Sequence, residues 1–353
     1  MRQNGDFQVN GCYNGVPMRY AVWNNKGGVG KSFLSFVLGT EVAHGNQNRK
    51  VILADMCPQA NLSEIVLGGN GDGALELQNL LSGKNRKTIG GYFDTRIASP
   101  HKTTDDEGRY LLHAKDYNSN LPNNLWLLTG DPSLDIQAQV ISQIGGQTLP
   151  ADAWKNVHNW LADLITACEK KIGGEVNVFI DCNPSFAAYT ELAMTAAERL
   201  IVPCSSDGSS ARAIDNVGAL LYGIGDSPYG DVTFKGKAEK FHLGIPLVHS
   251  VLLNRSTLYS KKASKAFGAM FGEIKHRTKL LKKADPSRFV AGEINFKVVP
   301  DNHSVAIVCS HLGKPLYSIY PGKYKVHETH PQVNNEPLDR YKEAVADLVH
   351  DIP

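Results

Sequence analysis

"VWNNKGGVGKSFLSF", residues 22–36, decides the reading of this chain. A short apolar run, "YAVW" (20–23), ends in a turn with glycines at 27, 28 and 30, and an apolar helix-like segment, "SFLSFVLGTEVAHG", runs on to Gly45. Strand, glycine turn and helix in that order make a phosphate cradle. The glycines let consecutive backbone N–H groups converge on oxygen anions, and the helix that follows adds the positive end of its dipole. Gly27, Gly28, Val29, Gly30, Lys31, Ser32 and Phe33 are therefore expected to wrap a nucleotide's phosphates, with Lys31 on the β- and γ-phosphates and Ser32 on Mg²⁺. A second lysine, Lys26, precedes the glycines and cannot occupy the same place as Lys31.

Moving outward, continuous apolar runs recur at 50–55 (KVILAD), 125–131 (LWLLTGD), 176–181 (VNVFID), 199–204 (RLIVPC), 246–254 (PLVHSVLLN) and 295–301 (NFKVVPD). Such runs predict strands covered on both faces. Helical segments lie between them; in the clearest, Trp154, Val157, Trp160, Leu161, Leu164, Ile165 and Cys168 form one apolar stripe. Alternation of this kind predicts an α/β fold, a doubly wound and mostly parallel sheet flanked by helices, with ligands beyond the carboxyl ends of the strands. Residues 1–17 read as an N-terminal tail and 18–353 as one domain, with a polar, glycine-rich surface excursion at about 68–124.

The chain of 353 residues is 42% hydrophobic and 20% charged, a globular composition. No apolar run reaches the roughly 18 residues of a spanning helix, and the first twenty lack a signal-peptide core. The six cysteines are scattered and form no CxxC pair, which suits buried free thiols in a reducing cytoplasm. Net charge is +2, but residues 261–288 hold nine basic and two acidic side chains, a local +7 that leaves −5 for the rest.

The turn departs from the common P-loop pattern, since Asn25 stands where its first glycine would be and Lys26 is additional. In this it resembles the deviant Walker A loop of the ParA/MinD class of P-loop partition ATPases. Further stretches match in order: "ADMCPQANLSE" (54–64) looks like the first switch, and "VFIDCNPSF" (178–186) like the Walker B strand and second switch. "VVPDNHSVAIVCSHLGKPL" near the end is similar to the segment that packs on adenine.

The resemblance implies ATP and Mg²⁺ as cofactors and a homodimer closed by ATP, each Lys26 reaching its partner's nucleotide. It places Asp55 and Asp181 with Ser32 around the metal, and Asn254, Pro300 and Asp301 at the base. It further implies non-specific DNA binding, release by a ParB-like or other adaptor through stimulated hydrolysis, and a nucleoid-associated cytoplasmic protein. By charge alone, Lys261, Lys262, Lys265, Lys275, Arg277, Lys279, Lys282 and Lys283 are the DNA-facing candidates.

One departure matters for mechanism. The family's first switch reads D-x-D-P-Q, and its second aspartate positions the attacking water; here Cys57 takes that place. A thiol is a weak acceptor, so hydrolysis is expected to be slow, and a nucleotide-gated scaffold or regulator is the alternative function. MinD-like membrane positioning is disfavoured, because the terminal "EPLDRYKEAVADLVHDIP" carries more acids than bases. An iron–sulfur reductase role would turn on Cys182, directly after the Walker B aspartate.

Overall fold

The computed structural model describes residues 16–352 apart from 84, 104–105, 206–207, 226–229, 257, 260, 261 and 264. The apolar runs become strands: β1 (Arg19–Val22), β2 (Lys50–Met56), β3 (Leu111–His113), β4 (Leu125–Leu128), β5 (Val176–Cys182), β6 (Arg199–Cys204), β7 (Leu247–Ser256) and β8 (Phe296–Pro300). They form one sheet in the order β8-β7-β6-β1-β5-β2-β4-β3. Every pairing is parallel except that of the edge strand β3 with β4. The fold class expected from the sequence is the one observed.

Alternate residues of each strand serve opposite faces. Tyr20, Val22, Leu53, Phe179 and Leu252 pack against helix α1 (Lys31–Gly45) and the helices His303–Leu312 and Asn335–His350. Ala21, Ile52, Ile180, Val202 and Val251 pack on the other face against Leu134–Gly145, Trp160–Ile172 and Ala188–Ala196. The predicted stripe from Trp154 to Cys168 is buried throughout, but it belongs to two helices, Ala153–His158 and Trp160–Ile172. At the break, the Asn159 side chain joins its own backbone N–H in donating to the Lys155 carbonyl.

The stretch at 68–124 differs from the expected surface excursion. It supplies β3 and buries Ile89, Tyr92, Phe93, Tyr110 and Leu111 in the core. Polar and glycine residues surround these side chains in the sequence, although Gly73, Gly90 and Glu107 are themselves buried. Among the described residues the cysteines, at 57, 168, 182, 204 and 309, are all free and buried, and no helix is long and apolar enough to cross a membrane.

Candidate functional site

The carboxyl ends of β1, β2 and β5 meet at a cavity of about 600 Å³. Gly27, Gly28, Gly30, Lys31, Ser32 and Phe33 line one side, Cys57, Gln59 and Asn61 another, and Cys182 and Asn183 a third. Gly28 and Gly30 have φ of 76° and 83°, a conformation that costs a side-chain-bearing residue about 1 kcal/mol or more. A Cβ at Gly27 or Gly28 would touch no protein atom within 4 Å and would enter the cavity instead. The cradle is thus shaped by backbone, with its space on the ligand side.

Lys31 is buried in the loop, where its Nζ donates to the carbonyls of Lys26 (2.9 Å) and Asn24 (3.2 Å). Burial pulls its pKa down, and the charge of Asp181 opposes the fall. The loop's entrance is fixed by Asn24, whose side chain donates to the Pro203 carbonyl and accepts from the Lys26 N–H. Lys26 directs its ammonium sideways to Ser205 Oγ at 2.9 Å, within its own subunit.

Asp55 and Asp181 stand side by side at the ends of paired strands, both fully buried. Their surroundings differ. Asp55 Oδ1 accepts from the Cys57 N–H, and Oδ2 accepts from both the N–H and the hydroxyl of Ser63. Neither oxygen of Asp181 has a hydrogen-bond donor. Burial, with the Asp55 charge added to it, raises Asp181 to about 8 against the opposing effects of the Ser32 hydroxyl and the Lys31 charge. Burial also raises Asp55 to about 6 against its three donors. Two buried carboxylates beside a hydroxyl, one of them without donors, form an oxygen set suited to a hard divalent cation. Asp181 and Ser32 have oxygen to offer; Asp55 is already engaged and pins the loop from Cys57 to Ser63.

That loop is held from several directions. Ala60 sits at φ 51°, left-handed for a residue with a Cβ, at the start of the helix Asn61–Val66. Gly130, in the turn after β4, donates its N–H to Ser63 Oγ at 2.9 Å. A Cβ on Gly130 would lie 2.9 Å from Asp55 Cγ and 3.0 Å from the Cys57 carbonyl, so no larger residue fits there. Cys57 is buried, and its Sγ receives the Asn183 amide at 3.6 Å. Burial and the charges of Asp55 and Asp181 push its thiol up to about 12, so it stays protonated and unreactive. Cys182 is likewise fully buried, with its pKa raised well above the ordinary value by burial.

Ser63, Gly130, Asn24, Asn183 and Ser205 escaped the sequence reading. Asn24, Ser63 and Asn183 fall inside the quoted motifs and Gly130 inside the run "LLTGD", but Ser205 lies just past the run "RLIVPC". Among the base candidates, Asn254 is buried and donates to the Val29 carbonyl at 2.8 Å, so it braces the glycine turn from beneath. Pro300 and Asp301 do not line the cavity.

The basic stretch becomes the helix Lys265–Ala284, and much of its charge is committed. Arg277 pairs with Glu273 at 2.7 Å and with Asp215. The Lys275 ammonium lies over Phe271 at 4.2 Å and Phe296 at 5.6 Å. Lys282 donates to the Gly292 carbonyl. Lys279 and Lys283, one helical turn apart, remain exposed beside His276 and Leu280. Lys261 lies outside the described residues, and only the backbone placement of Lys262 and Lys265 is described.

The CobQ/CobB/MinD/ParA nucleotide-binding domain model matches residues 20–351. No curated protein matches the sequence. The structure is similar to apo McdA of Cyanothece, with a TM-score of 0.59 at 14% identity over 94% of this chain and 98% of that one. It is also similar to a putative plasmid partition protein of Borrelia burgdorferi bound to AMPPNP, at 0.55 and 15% over 95% and 100%. Cobyrinic acid a,c-diamide synthase of Mycobacterium smegmatis, with an ATP analogue and magnesium, aligns at 0.50 and 16% over 95% of each chain. At these identities the likeness is one of fold.

Proposed function

The chain belongs to the CobQ/CobB/MinD/ParA nucleotide-binding domain family, and from that premise we propose that it is a Mg²⁺-dependent ATPase that closes as a homodimer on ATP and positions DNA or another cargo. The observation that carries this reading is Asp181, whose two buried oxygens lack a hydrogen-bond partner at the end of β5, directly before Cys182 of the cavity lining. Bound Mg²⁺ would supply Lewis-acid stabilisation of the phosphate charge. Ser32 and Asp181 would hold it, and Asp55 would keep the first switch in register. Lys31, desolvated in the loop, would direct its ammonium at the terminal phosphates. The similarity to the AMPPNP-bound partition protein supports ATP as the nucleotide.

Lys26 needs a second subunit for its role. Its bond to Ser205 meets a neutral hydroxyl, a weaker partner for an ammonium than a phosphate dianion, so a partner's nucleotide can capture it. Light scattering after size exclusion should show a monomer with ADP and a dimer with a non-cleavable ATP mimic. Lys26→Ala should bind the mimic yet remain monomeric. A Lys26→Ala dimer would remove the trans role.

DNA binding, if it uses the basic helix, falls on the uncommitted pair. Lys279→Glu/Lys283→Glu should weaken ATP-dependent binding of random duplex by about tenfold or more, and lower the salt slope by about 2. Filter binding across a salt series measures both. An unchanged slope would move DNA off this helix face.

A second reading rests on Cys57. A protonated thiol held by Asn183 orients water poorly, which favours a long-lived ATP state that acts as a scaffold.

A further inference from the structure

Lys26 is held at three atoms inside its own subunit. Its N–H donates to Asn24 Oδ1 at 2.9 Å, its carbonyl accepts from Lys31 Nζ at 2.9 Å, and its ammonium donates to Ser205 Oγ at 2.9 Å. Lysines at a cavity mouth ordinarily extend into water; this one is half-buried.

Two of these ties lead to the same place. Asn24 Nδ2 donates to the Pro203 carbonyl at 2.7 Å, so the segment 203–205 at the end of β6 fixes both the start of the glycine turn and the tip of its first lysine. The hydroxyl that receives the ammonium is itself directed. An ammonium only donates, so Ser205 Oγ accepts from Lys26, and its own hydrogen turns to Ser210 Oγ at 2.9 Å. Ser210 is fully buried in the first turn of the helix Gly208–Asn216 and also accepts from the Ser205 N–H at 3.0 Å. Ser205 is thus clamped to a buried side chain through both its backbone and its hydroxyl. It presents an acceptor to Lys26 at a fixed point.

We infer that Ser205 is a positioning residue that parks Lys26 in cis, and that this parking sets the protein concentration at which the dimer closes. The inference rests on the proposed role of Lys26 at a partner's nucleotide. Reaching that nucleotide means leaving Ser205. Each of the two subunits gives up one such contact on closing, so the dimer constant carries the effect twice. A hydroxyl suits this position better than a carboxylate. It holds the ammonium without a full opposite charge, so phosphate still draws the lysine away.

The test uses the full chain with a non-cleavable ATP mimic, sized by sedimentation velocity over a dilution series. Ser205→Ala should dimerise at about tenfold lower concentration, from about threefold for each lysine released. Ser205→Cys, close in size but a weak acceptor, should follow alanine, and Ser205→Thr, which keeps the hydroxyl, should follow the wild type. A second readout needs neither nucleotide nor dimer. Acetic anhydride labelling followed by mass spectrometry should modify Lys26 about threefold faster in Ser205→Ala and Ser205→Cys, with Lys279 labelled at the wild-type rate in both. A merely structural role for Ser205 would not single out Lys26. Wild-type labelling and wild-type dimerisation in both variants would overturn the parking role, even with Lys26→Ala monomeric. Faster labelling of Lys26 without easier dimerisation would keep the contact and overturn its control of closure. A dimer formed by Lys26→Ala would instead remove the trans reading on which that control rests.

Discussion

Replacing Asp181 by asparagine should abolish the Mg²⁺-dependent part of ATP binding while making the nucleotide-free protein more stable. Asp181 is fully buried, and neither oxygen meets a donor. Its folded pKa, raised to about 8 by burial and by Asp55, exceeds the ordinary 3.8. For an acid shifted upward the fold disfavours the ionised form, so stability is lost as pH climbs from the unfolded value through the folded one. The wild type without metal should therefore melt progressively lower as pH rises from about 4 to about 8. Asp181→Asn should melt higher than the wild type at pH 8, by an increment worth about 1–3 kcal/mol. Mg²⁺ with nucleotide should restore the wild type at that pH, whereas adding Mg²⁺ to nucleotide should give the variant no further rise. Titration calorimetry with and without Mg²⁺ should show the variant's ATP affinity equal in both, and turnover should fall about 10²–10³-fold. A variant that kept full Mg²⁺ dependence would place the metal elsewhere.

Cys57→Asp should raise Mg²⁺-ATP turnover by about 10²-fold. The backbone of residue 57 is already held by Asp55 Oδ1 at 3.1 Å, and its side chain lines the cavity. A carboxylate introduced there accepts a water's hydrogen bond, which the protonated thiol does weakly. The substitution should also lower stability without metal, because a third carboxylate joins Asp55 and Asp181. Cys57→Ser, with a hydroxyl that is a better acceptor but no base, should gain little. Steady-state phosphate release, with ATP affinity measured in parallel, checks both. Equal turnover in the wild type and the aspartate variant would show that residue 57 does not orient the water, and the scaffold reading would lose its basis.

How much of this was legible beforehand follows the range of the interactions. The cradle was legible because seven consecutive residues, Lys26 to Ser32, carry it, and left-handed φ at Gly28 and Gly30 is a demand on single residues. The strands were legible because burial on both faces leaves unbroken apolar runs. Arg277 was nominated for DNA by charge, but its cancellation comes in part from Asp215, 62 residues away. Ser63 and Gly130 are 67 apart, and neither announces that it braces Asp55. In the 68–124 stretch, the core residues Ile89, Tyr92, Phe93, Tyr110 and Leu111 are scattered among polar neighbours and form no long apolar run.

By itself the sequence determined the doubly wound sheet, the glycine turn with its two lysines, and the cysteine at position 57. Those are properties of adjacent residues: dihedral freedom, hydrophobic period and the chemical type of a side chain. Only the tertiary structure decided that Asp55 is sated while Asp181 is bare, that Asn254 braces the loop, and that two lysines of the basic helix stay uncommitted. Desolvation and hydrogen-bond supply at an atom depend on which distant segments the fold lays against it, and no local window contains that information.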